Sequence, residues 1–92
     1  MATDEVSNKD ISDSLRWASD RYYAVRAEGA EENARQYDSL TKTALDAGRT
    51  GDARYYAGKA AENRAHAEID RAEAQNILDD ARKWADKADK DE

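Results

Sequence analysis

Cysteine, proline and phenylalanine are all absent from this chain of 92 residues. Without cysteine the chain can form no disulfide and no thiolate metal site, and it has no thiol nucleophile. No apolar stretch reaches the roughly 18 residues that a membrane-spanning helix needs. The opening residues, MATDEVSNKD, lack the basic and apolar segments of a secretory signal, so a cytoplasmic protein with no membrane partner is expected.

Large aliphatic residues are also scarce, because valine, isoleucine and leucine together number nine against nineteen alanines. So few large aliphatic residues in a charged chain would by themselves indicate disorder. Alanine reverses that conclusion, since it is the best helix former and loses almost no side-chain entropy on folding. Five tyrosines and two tryptophans supply the missing bulk. The composition therefore predicts a small all-α protein.

The first half of the chain has the apolar spacing of one long helix. From Ile11 to Ala47 the apolar residues recur at steps of three, four or five, which places them on one face of an α-helix. This pattern predicts a helix over about residues 10–47, with Ser7 or Ser12 as its N-cap. Gly29 could divide this helix and give a three-helix protein. One glycine costs only about 1 kcal/mol in a helix, however, and no turn residues accompany it.

A short segment that contains two glycines, AGRTGD, separates the two halves and predicts a turn over about residues 48–52. Gly48 suits the left-handed residue that ends a helix. Thr50 or Asp52 suits the cap that begins the next helix. A second apolar stripe then predicts a helix over about residues 53–88, followed by a charged tail that frays.

Two helices of similar length joined by a short turn should lie antiparallel. We therefore predict a single domain over residues 1–92, folded as an antiparallel helical hairpin with coiled-coil packing. A turn near residue 50 makes Ala18 face Ala81 and Val25 face Ala74. A hairpin of this size rarely buries enough apolar surface to be stable alone, which favours a homodimer that forms a four-helix bundle.

Large residues on the two apolar stripes are predicted to form the seam between the helices. They are Leu15, Tyr22, Val25, Tyr37, Leu40, Tyr56, Ile77, Leu78 and Trp84. Four residues off these stripes, Trp17, Tyr23, Tyr55 and Ile69, are candidates for a surface that binds a partner. The reason is that aromatic and large apolar residues are typical of the centres of interfaces.

The string RYYA occurs twice, at Arg21–Ala24 and at Arg54–Ala57. Two copies are too few for a solenoid, which needs at least three repeats. The favoured interpretation is similar core packing on two alanine-rich helices. The alternative is a pair of contact patches, built on the outward-facing Tyr23 and Tyr55.

Catalytic chemistry finds little support in the sequence. His66 is the only histidine, and it follows Glu62 by four positions, which is not the Glu-x-x-His spacing of di-metal bundles. A surface histidine paired with Glu62 is the favoured interpretation. The segment GRTGD lacks the ending of a phosphate-binding loop. We therefore predict a protein that is not an enzyme and that holds no metal or cofactor.

The net charge of −6, with mixed signs along the chain, disfavours nucleic acid as a partner because phosphate binding depends on clustered basic residues. Arg16, Arg21 and Arg26 are five apart, so they spiral around a helix instead of lining up. The expected function is a non-catalytic protein–protein interaction module that dimerises and binds or regulates a larger, unidentified protein. Three alternatives stay open: an acidic inhibitor of a nucleic-acid-acting enzyme, a virion or scaffold assembly component and, with least support, an RNA-binding helical hairpin.

Overall fold

Helices make up almost the whole of the described chain, which covers residues 6–91 in this computed structural model. The elements are α1 over Asn8–Ala18, a π-helical turn over Ser19–Tyr23, α2 over Ala24–Asp46 and α3 over Thr50–Asp91. α1, the π turn and α2 follow one another without a break, and we call them together the N-terminal arm. The all-α prediction is confirmed, and Gly29 lies within α2 without dividing it.

Local hydrogen bonds fix the start of the N-terminal arm. Ser7 is the N-cap: its hydroxyl accepts a hydrogen bond from the backbone N–H of Asp10 at 3.1 Å, and the Asp10 carboxylate accepts one from the Ser7 N–H at 3.3 Å. This reciprocal capping box satisfies two backbone donors that a helix start otherwise leaves unpaired. Ser12, the other candidate cap, is buried against α3 instead.

The turn between the arms is shorter than expected. Gly48 has a positive φ of 76°, and the N–H of Arg49 donates to the carbonyl of Ala44 at 2.8 Å. This geometry ends a helix in the left-handed region that glycine reaches without strain. α3 begins directly afterwards, at Thr50, and continues to Asp91. The last residue of the expected charged tail, Glu92, lies outside the described residues.

The two arms lie side by side and run in opposite directions. Ser12 near the start of the chain donates to the carbonyl of Ala81 at 2.8 Å, and Ser19 donates to the carbonyl of Ala74 at 2.7 Å. The molecule measures 69 × 24 × 13 Å, and its smallest dimension is close to the 10–12 Å diameter of one helix with its side chains. The chain is therefore a ribbon one helix thick.

Small residues at every seventh position form the contact between the arms. We call them the small-residue line: Ser12, Ser19, Ala27, Ala34 and Thr41 in the N-terminal arm, and Ala53, Ala60, Ala67, Ala74, Ala81 and Ala88 in α3. The buried apolar residues of the described chain are all alanines, at most 8% exposed, and each of them except Ala44 belongs to this line. A seven-residue repeat keeps one side of each helix against its partner. Alanine and serine let the two backbones approach closely, which is why a serine hydroxyl can reach a carbonyl of the opposite helix.

The spacing along the N-terminal arm is seven at every step but one. Between Ser19 and Ala27 it is eight, and the π turn lies inside this interval. A π turn holds about one residue more than an α turn, so it absorbs the additional residue. Ala27 thereby returns to the contact with α3, where it is fully buried. A continuous α-helix would rotate Ala27 away by about 100° and bring Arg26 towards the contact.

The additional residue exchanges the positions of two neighbouring tyrosines. The predicted seam contained Tyr22 and Val25, but these side chains are 48% and 53% exposed, whereas Tyr23 is half-buried. The structure differs from the prediction because α-helical periodicity does not continue through the π turn. Leu40 is also 43% exposed, since its neighbour Thr41 takes the position in the small-residue line.

The predicted register differs for a related reason. Ala81 and Ala74 contact Ser12 and Ser19, where Ala18 and Val25 were expected. Buried serines that donate to carbonyls are compatible with a helix contact, and an apolar pattern does not include them.

Enlarging one residue of the small-residue line should separate the arms. We expect Ala67→Leu to lower the free energy of unfolding by about 1–3 kcal/mol, because a larger side chain overfills the contact. Urea unfolding followed by circular dichroism measures this change. Ala65 is exposed on the same helix, and Ala65→Leu should change the free energy of unfolding by less than about 0.5 kcal/mol. Equal losses in the two variants would contradict a close contact at Ala67.

Removing one residue from the eight-residue interval should remove the need for the π turn. Deletion of Ala24 makes the spacing seven throughout, and we expect a midpoint of thermal unfolding equal to or above that of the parent chain. Deletion of Gln36, an exposed residue of α2, shortens the interval between Ala34 and Thr41 to six. It should lower the midpoint by more than about 8 °C. A large fall in the midpoint of thermal unfolding on deletion of Ala24 would show that the π turn has another cause.

Candidate interaction surfaces

The ribbon has two broad faces that differ in chemistry. Side chains four positions after the small-residue line point to one face, and those three positions after it point towards the other. The first, which we call the ion-pair face, carries Glu31, Asp38, Arg64 and Arg71. The second, which we call the tyrosine face, carries Leu15, Tyr37, Tyr56, Ile77 and Trp84 at these positions, and Tyr22, Leu40, Tyr55 and Ile69 lie farther from the contact on the same side.

Two ion pairs join the arms across the ion-pair face. Arg71 donates to the carboxylate of Glu31, and Arg64 donates to that of Asp38. The hydrogen bond from each arginine lowers the pKa of its carboxylate partner below the ordinary value. Both acidic residues belong to the N-terminal arm and both basic residues to α3, so the pairs form only between opposite arms. All four side chains are between 37% and 51% exposed, so each pair contributes little stability.

A shallow groove follows the small-residue line on the ion-pair face. Its cavities measure between 250 and 350 Å³, and alanines or serines of the line form their floors. The central cavity lies over Ala34 and Ala67 and is bordered by charged side chains, among them Glu31, Arg64 and Arg71. Because the two ion pairs cross the groove there, it is not an open channel for another helix.

The tyrosine face contains both copies of RYYA, and the two copies have the same side-chain arrangement. Neighbouring rings meet edge to face, with centroids 4.9 Å apart for Tyr22 and Tyr23 and 5.6 Å apart for Tyr55 and Tyr56. In each pair the first tyrosine is exposed and the second half-buried. This holds although the first copy lies in the π turn and the second in α3. The outward tyrosines are therefore Tyr22 and Tyr55, where Tyr23 and Tyr55 were expected.

A cation four positions later lies over each exposed ring. The guanidinium carbon of Arg26 is 5.2 Å from the centre of the Tyr22 ring, and the ammonium of Lys59 is 5.6 Å from that of Tyr55. Arg26 also donates to the Tyr22 hydroxyl at 2.9 Å, which raises the pKa of its guanidinium. These contacts hold the two rings in place at the surface.

Carboxylates accompany both of these cations. The Nε atom of Arg26 lies 3.7 Å from Oδ2 of Asp70, and the Nζ atom of Lys59 lies 3.4 Å from Oε2 of Glu62. The centre of the tyrosine face therefore carries little net charge, although the chain as a whole has a charge of −6. Low charge with exposed tyrosine, leucine and isoleucine is typical of the centre of a protein–protein interface.

Three of the four predicted partner-binding residues are exposed: Trp17 is 65%, Tyr55 60% and Ile69 66% accessible. Tyr55 and Ile69 each follow an alanine of the small-residue line by two positions, so they project from the same side of α3. Trp17 follows Ser12 by five positions and lies on the outer edge of the ribbon. Tyr55 and Ile69 thus share one side of α3, towards its outer edge, and Trp17 lies on the other arm.

Most of the predicted seam residues lie beside the small-residue line and are only half-buried. Each of the following is three positions after a residue of the line, which places it towards the tyrosine face: Leu15, Tyr37, Tyr56, Ile77 and Trp84. Leu78 borders the groove on the opposite face. Tyr37 and Tyr56 stack across the two arms with ring centres 6.2 Å apart. No large side chain in the described chain is fully buried.

Potential metal ligands do not cluster in the described residues. His66 is exposed, and no cluster of three or more potential metal ligands occurs between residues 6 and 91. Within the same part of the chain, no helix combines the length and apolar character needed to cross a membrane.

No protein-family model matches this sequence, and neither a curated protein nor a solved structure shows significant similarity to it.

The ion pairs between the arms were not predicted from the sequence. Their signal is visible there: Glu31 and Asp38 are seven apart, as are Arg64 and Arg71, which is the repeat of charges that flank a coiled-coil contact. Glu31 also stands four positions before Arg35, a spacing that is typical of an ion pair within one helix. Arg35 pairs with Glu32 instead.

These ion pairs predict a dependence of stability on pH. The carboxylates of Glu31 and Asp38 have a lower pKa when folded than the ordinary values of 4.5 and 3.8. Their contribution is therefore present above those values and is lost as the pH falls through the folded ones. As the pH falls below about 5, we expect the free energy of unfolding to decrease less steeply in the double variant Glu31→Gln, Asp38→Asn than in the parent chain.

Glu73 provides the control for this titration. It is an exposed residue of α3 and takes no part in the ion pairs that join the arms within the described residues. Urea unfolding of Glu73→Gln should follow the pH profile of the parent chain. A double variant with an unchanged profile would show that the pairs between the arms contribute nothing to the acid dependence.

Proposed function

We propose that this protein is a non-catalytic interaction module: an acidic helical hairpin that dimerises into a four-helix bundle and binds or regulates a larger protein. The observation that carries this proposal is the one-layer ribbon itself. Its large apolar side chains are half-buried or exposed, and its core consists of alanine. Side chains of this kind gain most from a second layer that removes them from water.

The exposed surface supports the same conclusion. The chain exposes 6775 Å², whereas a compact monomer of 10.3 kDa would expose about 5,400 Å². The excess of about 1,400 Å² exceeds the roughly 800 Å² that each partner buries in a standard interface. The shape agrees, because the radius of gyration is 20.2 Å against about 12 Å for a compact chain of this length.

The two tyrosines of the second RYYA copy allow folding and binding to be measured separately. Tyr55→Ala removes an exposed ring, so it should leave the thermal midpoint almost unchanged and weaken binding. Tyr56→Ala removes a half-buried ring that stacks on Tyr37, so it should lower the free energy of unfolding by about 1–3 kcal/mol. Calorimetry measures the thermal stability of each variant. Light scattering and capture of partners from the native host measure its binding.

The result that would contradict this proposal is specific. If Tyr55→Ala captures the same partners as the parent chain and both proteins are monomers, the exposed tyrosine has no role in association. If instead Tyr55→Ala unfolds as readily as Tyr56→Ala, the two rings are not distinguished by burial. Either result would remove the basis for a binding surface at this position.

A further inference from the structure

We infer that the partner of the tyrosine face is a second copy of this chain, stacked face to face on the first. This inference deepens the proposed function, because it rests on the dimer proposed there and names the surface that forms it. In such a dimer the half-buried side chains of both copies form the core of the four-helix bundle. The ion-pair face of each copy stays in contact with solvent.

The first reason is the alignment of the large side chains. Leu15, Tyr37, Tyr56, Ile77 and Trp84 all lie three positions after the small-residue line, so all five are reached from the same side of the ribbon. One additional layer on that side would bury them together. A layer on the ion-pair face would leave all five half-exposed and would cover charged side chains instead, which costs free energy.

The second reason is length. Leu15 and Trp84 lie near the open end of the ribbon, and Tyr37 and Tyr56 lie near the turn, so the surface to be covered runs along most of a molecule 69 Å long. A small globular domain, about 30 Å across, would cover less than half of it. A second copy has the same length and the same regular spacing, so it covers the whole face.

The third reason is charge and area. Two chains of charge −6 can associate only through a face that does not repel its own copy, and the cations of the tyrosine face are already paired with Asp70 and Glu62. The broad face measures 69 × 24 Å, or about 1,700 Å². Contact over half of it reaches the roughly 800 Å² per partner that a stable dimer needs.

The groove on the other face is the competing site, and its geometry argues against it. The pairs Glu31–Arg71 and Asp38–Arg64 cross it at the centre. A helix that entered the groove would have to break both pairs and bury their charges. That cost does not arise on the tyrosine face.

Two substitutions separate the faces. Leu40→Asp places a charge on the tyrosine face, and Ala57→Asp places one at the border of the groove; both positions are exposed. Light scattering over a dilution series should give about twice 10.3 kDa for the parent chain and for Ala57→Asp. Leu40→Asp should be a monomer, with dimerisation weakened at least about 30-fold.

Trp84 gives a second measurement that does not depend on a disruptive change. Trp17 is exposed on the outer edge, so Trp17→Phe leaves Trp84 as the only tryptophan. Dilution of this variant through the dissociation constant should shift Trp84 emission to longer wavelength, because the ring becomes exposed when the tyrosine faces separate. Circular dichroism at each concentration shows that the helices persist.

Each outcome decides between the possibilities. Three results would overturn the inference: a parent chain that is a monomer at every concentration, a dimer that survives Leu40→Asp, or a dimer that Ala57→Asp dissociates as strongly as Leu40→Asp does. So would Trp84 emission that does not change while the dimer dissociates. A monomeric parent that still captures a larger protein through Tyr55 would overturn the second copy as the partner and leave the interaction module standing.

Discussion

The close approach of two helices along a line of alanine and serine determines most of this structure. A residue such as Ala60 fills almost no space between the backbones, so the helices come near enough for Ser19 to bond directly to a carbonyl of α3. No room is left between them for a tyrosine or a tryptophan. Large side chains are therefore displaced to one side of the contact, and a shallow groove is left on the other. The two different faces of the ribbon are both consequences of this single contact.

A line of identical small residues does not by itself specify a register. If α3 moved by seven residues along the N-terminal arm, alanine would again meet alanine or serine. Such a shift would leave Asp38 opposite Arg71, but it would place Glu31 opposite Leu78 and Arg64 opposite Leu45. One of the two ion pairs on the ion-pair face would be lost. Exposed ion pairs stabilise a protein weakly, but they distinguish between otherwise equivalent registers, as flanking charges do in coiled coils. The short turn closed by Gly48 also favours this register over a shifted one.

Local rules were sufficient to predict an all-α chain with a turn near Gly48, because these features depend on nearby residues only, although α3 begins at Thr50, three residues before its predicted start. Ser7 with Asp10, and Gly48 in its left-handed conformation, are recognisable wherever they occur. The π turn is different, since its cause lies in the distance between Ser19 and Ala27, and the importance of that distance depends on the line of alanines in α3. An apolar pattern also gives weight to large residues, and here the buried positions belong to small and polar ones. That is why Tyr22, Val25 and Leu40 were placed in the seam.

The candidate surface was harder to predict from the sequence than the fold was, and the two RYYA copies show why. The two copies have the same sequence. Which tyrosine of each pair faces outward depends on how its helix is rotated about its own axis towards the opposite arm. In the first copy this rotation is set by the π turn, and in the second by regular α-helix, but both place the first tyrosine outward. The first tyrosine is exposed in both copies although their backbones differ. This indicates that the small residues set the orientation of each arm, and that the tyrosines take the positions left beside the contact. Because alanine cannot supply a core that buries such rings, a chain built on this contact keeps them at its surface until another layer covers them.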